Sequence, residues 1–89
     1  MTTLTLCHPE GTVIATFPCF INEEGYVEAE LPSNPMDVAQ INRILDAVAG
    51  MEIFQAVEIA LCHINEGKLE QGALDSENPD GIHFAFSDL

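Results

Sequence analysis

Cys7, His8, Cys19, Cys62 and His63 supply the side-chain types of a zinc site, and their spacing decides whether they can form one. Neighbouring residues on a strand point to opposite faces, and on a helix they diverge by about 100°. The pairs Cys7-His8 and Cys62-His63 therefore make poor chelators, and no C-x2-4-C or H-x3-5-H spacing joins them to other ligands. These residues are expected to be small apolar thiols and solvent-facing imidazoles, with no metal. Asp75, Glu77 and Asp80 suggest calcium, but an EF-hand loop needs glycine at its sixth position and glutamate at its twelfth. Counted from Asp75, those positions hold Asp80 and Phe86. Cys19 with His8, or Cys62 with His83, could pair a thiol with an imidazole. No local signature surrounds either cysteine, and 89 residues leave little room for a pocket of several hundred Å3. Two carboxylates can be found anywhere among fifteen, so their presence selects no acid–base chemistry. The expectation is a protein without catalytic residues or cofactor.

The charge itself is more informative. Fifteen Asp and Glu stand against one arginine, Arg43, and one lysine, Lys68, a formal net charge of −13. That balance excludes a conventional nucleic-acid binder and docking on anionic lipid, since both need a basic footprint. Glu28 and Glu30 share one face of a strand, about 6.5–7 Å apart from the ~3.3 Å rise per residue. Successive phosphates along a nucleic-acid strand have a comparable pitch. Glu23 and Glu24 extend that row through a turn, and Tyr26 adds an aromatic ring on the same face. Asp75, Glu77 and Asp80 form a second acidic surface, on a loop free to adapt. Such charges repel one another, and a partner rich in Lys and Arg relieves the repulsion. The competing explanation is that the acids only keep a small protein dispersed.

The elements that hold these residues follow from periodicity. Thr2 to Cys7 alternates as a strand, and Pro9-Glu10-Gly11 turns the chain into a second strand, Thr12 to Phe20. Val13, Ala15, Phe17 and Cys19 on one face and Ile14 and Phe20 on the other make that strand apolar on both sides. Pro18 belongs at a bulge or at a position that donates nothing to the ladder. Tyr26 to Leu31 is a third strand, with Val27, Ala29 and Leu31 opposite Tyr26, Glu28 and Glu30. Asn34 or Ser33 caps a helix over 36–49, Pro35 suits its first position, and Gly50 ends or kinks it. A second helix over 52–65 turns Ile53, Phe54, Val57, Ala60, Leu61 and Ile64 inward. Ile59 falls outside that arc. Ile82 to Ser87 is the last strand. The order βββααβ predicts one α+β domain over residues 1–89: an antiparallel sheet of about four strands with two helices on one face. The helices form either a hairpin or one rod kinked at Gly50.

An odd number of cysteines without a CxxC pair points to free thiols in a reducing compartment. The sequence has neither an 18-residue apolar run nor a basic, apolar leader, so a cytoplasmic location is expected. In size, negative charge, predicted α+β fold and absence of a catalytic signature, the chain resembles the small acidic inhibitors of phages and mobile elements. Anti-CRISPR proteins and other DNA mimics are of this kind. The resemblance rests on overall character and transfers no residue role. It implies a cytoplasmic inhibitor that blocks the nucleic-acid site of a host defence or repair protein. The rival expectation is a structural or dimerisation module. The two-faced second strand supports it, with Phe17 and Phe20 available for a subunit contact, in a homodimer or as a small subunit of a larger assembly.

Overall fold

The computed structural model describes residues 2–87. β1 (Thr2–Cys7) and β2 (Val13–Ile21) form an antiparallel hairpin. Gly11, at φ 105°, closes the turn by donating its N–H to the His8 carbonyl at 2.9 Å. Leu4 pairs with Phe17 and Leu6 with Ala15, but the register then shifts, so that Cys7 faces Val13. The extra residue in β2 is a bulge. It corrects the expected inward set: Val13 is 58% exposed, whereas Ile14 packs against the core beside Ala15, Phe17 and Cys19. β3 (Val27–Ala29) continues the sheet from β2.

Helix α1 (Pro35–Ala49) begins as its sequence dictates. The Asn34 side chain accepts from the Met36 N–H at 2.9 Å, and Pro35 takes the first helical position. Gly50, left-handed at φ 65°, ends it. Helix α2 (Ile53–Asn65) folds back as the second arm of a hairpin. The Ile53 N–H donates to the Asn42 side chain at 2.6 Å, although eleven residues separate them. Along one straight helix they would lie about 16 Å apart.

Beyond α2 come β4 (Gln71–Ala73) and β5 (His83–Ser87), and the sheet order is β3-β2-β1-β5-β4, antiparallel throughout. The sheet thus has five strands rather than about four, in chain order βββααββ. Gln71-Gly72-Ala73 carries no alternation that marks a strand. It becomes one through its partner β5, with Phe86 N–H donating to the Glu70 carbonyl at 2.7 Å and Leu74 N–H to the Ile82 carbonyl at 2.9 Å.

One face of the sheet contributes Leu4, Leu6, Phe17, Phe84 and Phe86 to the core, each worth about 1.5–3 kcal/mol of burial. Helix α2 adds Ile53, Ala56, Val57, Ala60 and Ile64, while α1 buries only Leu45. The buried arc of α2 is rotated from the expected one. Ala56 lies inside it, Phe54 is 63% exposed, and Leu61 and Ile59 are both half-buried against the core.

The last turn of α2 grips both sides of the sheet. Asn65 accepts from the Val27 N–H at 2.8 Å and donates to the Val27 carbonyl at 3.0 Å. His63 Nε2 lies 2.9 Å from the Leu74 carbonyl, which only accepts, so this nitrogen carries the proton. Residues two apart on a helix diverge by about 200°. The sheet therefore curls around α2, with one edge held by Asn65 and the other by His63. Among the described residues, no helix is long and apolar enough to cross a membrane.

Candidate functional site, an acidic sheet edge

The turn into β3 is built by Asn22, whose side-chain oxygen accepts from the N–H groups of Glu24 at 2.9 Å and Tyr26 at 3.0 Å. Gly25, at φ 87°, takes the left-handed position in it. Glu23 and Glu24 are thereby fixed on the tip of the turn, both exposed. Val27 is buried, Ala29 and Leu31 are half-buried, and Tyr26, Glu28 and Glu30 are exposed, so the alternation falls as expected. Pro18 explains why the strand stops. Its carbonyl accepts from the Glu30 N–H at 2.8 Å, but it has no N–H to return the bond, and β3 ends at Ala29.

The acidic row divides between two grooves. Glu28 and Tyr26 line a groove of about 430 Å3 between β3 and α2, closed on the far side by Glu58, Cys62 and Glu66. Its floor includes Val27 and Leu61, and no lysine or arginine lines it. Glu30 instead lines a groove of about 580 Å3 between β2 and α1. Opposite Glu28 on β2 stands Phe20, half exposed, so the acids border an aromatic patch.

Glu58 and Glu66 were not anticipated as part of this surface. Positions 58, 62 and 66 repeat every four residues and so share a helix face, a signal present in the sequence. Nothing in the sequence says which strand that face adjoins. The bidentate Asn65–Val27 pairing decides it. Asn65 thereby occupies the outward backbone groups of Val27 and covers that part of the sheet edge.

Asp75, Glu77 and Asp80 lie elsewhere. β3 and β4 are opposite edges of the sheet, about 19 Å apart across four strand spacings. The pairings Thr2–Cys19 and Cys7–His83 also put the β2–β3 turn and the β4–β5 loop at opposite ends of the strands. That loop also carries bonds of its own. Asp75 accepts from the Glu77 N–H through its side chain and from the Asn78 N–H through its carbonyl, both at 2.9 Å. His83 Nε2 donates to the Pro79 carbonyl at 2.8 Å.

Two of the imidazoles, those of His63 and His83, are anchors. His63 stacks on Phe84 with ring centres 5.0 Å apart, and both His63 and His83 use Nε2–H on backbone carbonyls. Only one thiol, Cys19, is the buried apolar group expected; Cys7 is half-buried and Cys62 exposed. Burial pushes the Cys19 thiol up, partly countered by a backbone hydrogen bond at Leu4. Its Sγ–H donates to the Phe17 carbonyl at 3.6 Å. Among the described residues, no three His, Cys, Asp or Glu side chains are grouped to hold a metal ion. Comparison with protein-family models, curated proteins and solved structures finds no match.

Proposed function

We propose that the chain is a non-enzymatic acidic inhibitor, acting in the cytoplasm, that occupies the basic nucleic-acid-binding site of another protein and blocks it sterically. The supporting observation is the groove between β3 and α2, which Glu28, Glu58, Glu66 and Tyr26 line together with no basic residue among the lining groups. Glu23 and Glu24 continue the field at the turn, and the Asn22 turn and Asn65 clamp hold the backbone before any partner arrives. A preformed row of carboxylates gives a Lys- and Arg-rich cleft what a phosphate backbone would give it, and steers the encounter at a distance. This is the mode of action that the resemblance to small acidic inhibitors of the DNA-mimic kind implies. The test is capture from a lysate followed by competition with duplex DNA. Retention of a basic nucleic-acid enzyme that DNA displaces supports inhibition, and simultaneous binding of both refutes it.

A second reading has its own observation. Across β1, β2 and β5 the sheet face away from the helices carries Thr3, Thr5, Thr16, Pro18, Phe20 and Ala85, none of them charged, and Glu28 joins it only at the β3 edge, opposite Phe20. A dimerisation module would pair through that face. Sedimentation equilibrium distinguishes the two, since the inhibitor needs no self-association.

A further inference from the structure

The groove between β2 and α1 is a slot left by the shortness of β3. Only Cys19, Phe20 and Ile21 of β2 are paired with β3, and the chain then departs through Leu31 and Pro32. The Pro18 carbonyl points to the β3 side, as its bond from Glu30 requires. In an antiparallel strand, backbone direction repeats every second residue, so the N–H and C=O of Thr16 point into the same gap, where no strand meets them. The opposite wall is mixed: α1 contributes Ile41 and Ile44 together with Asp37 and Gln40, and Leu31 and Glu30 complete the lining beside them.

We infer that this slot receives a short extended segment of a basic partner protein. The segment pairs its backbone with Thr16, sets an apolar side chain against Ile41 and Ile44, and brings Lys or Arg to Glu30 and Asp37. A strand that adds to a sheet edge takes affinity from main-chain bonds and specificity from alternate side chains. Charge selects the occupant. A second copy of this chain would bring its own carboxylates against Glu30 and Asp37, whereas a basic segment neutralises them. The inference shares with the proposed function only the premise that the partner is basic, and it concerns a different groove.

The test is NMR titration with a synthetic peptide alternating lysine or arginine with valine, beside oligolysine of equal charge. The alternating peptide should shift the Ile41 and Ile44 methyl signals and slow exchange of the Thr16 amide by more than tenfold. Glu30→Gln with Asp37→Asn should weaken its binding about tenfold. Thr16→Pro, which removes one donor directed into the slot, should weaken it while leaving oligolysine binding unchanged. If the peptide shifts only residues around Glu28 and Glu58, the slot is wrong and the acidic edge stands. If neither peptide binds anywhere, the inference is overturned, while the proposed function still stands or falls on the competition with duplex DNA. If Thr16 protection rises with protein concentration alone, the slot takes a second copy and the inference is overturned.

Discussion

The two edges of the sheet are built alike and equipped differently. β3 and β4 are each three residues long, and each side is tied to the last turn of α2 by one side chain, Asn65 on the first and His63 on the second. At β3 the Glu28 carboxylate stands on backbone fixed from both sides, and α2 adds Glu58 and Glu66 to the same groove. At the β4–β5 corner, the Asp75 carboxylate is already engaged by its own loop. Acid count alone does not separate these regions. What separates them is that α2 brings further carboxylates to the groove beside β3, whereas Glu77 and Asp80 at the β4–β5 corner line neither groove.

The largest expected effect comes from removing the support under the β4 side. Phe84→Ala takes away a fully buried ring and the stacking surface of His63, and should destabilise the protein by about 3–5 kcal/mol in chemical denaturation. Asn65→Ala tests the β3 side. It leaves the N–H and C=O of Val27 without their partner and should cost about 2 kcal/mol, with faster amide exchange at Val27. If the two variants lose equal stability, the edges are not held as described.

A smaller effect separates the thiols. Cys62 should react with a thiol reagent at once, Cys7 more slowly, and Cys19 only on unfolding. Because burial raises the Cys19 pKa, the unfolded chain loses its proton first. The stabilisation is complete below the ordinary value of 9.0 and is lost as pH rises from there through the folded pKa. Replacing Cys19 with alanine should flatten the alkaline limb of a stability–pH curve. The smallest effect is expected at the corner. Asp75→Ala loses one exposed turn bond, about 0.5–1 kcal/mol, and should change partner affinity less than twofold.

The parts of the fold legible in the sequence are those with local causes. Asn34, Pro35 and Gly50 bound α1 because capping is decided within a few residues, and Val27, Ala29 and Leu31 alternate because one side of β3 is buried. The Ile14 bulge has no local signature, and Gln71-Gly72-Ala73 is a strand only by virtue of β5. Phe54 satisfied a helical arc that tertiary packing rotated toward Ala56 and Ala60, whose small side chains give the sheet closer approach. The acidic site was half legible. Glu23, Glu24, Tyr26, Glu28 and Glu30 followed from strand and turn, but Glu58 and Glu66 reach them through a contact 38 residues apart in sequence, between Val27 and Asn65.

Affinity of the Glu28→Lys, Glu58→Lys double variant for the basic protein captured by the wild type tests the central claim most directly. Both positions are exposed, so the variant should keep the wild-type fold by circular dichroism. Binding should weaken by more than about tenfold, at 1–3 kcal/mol or so for each lost charged contact. The wild-type complex should also weaken with salt, given a Debye length of about 8 Å at physiological ionic strength. A folded double variant that binds as tightly as wild type, with no salt dependence, would contradict the account.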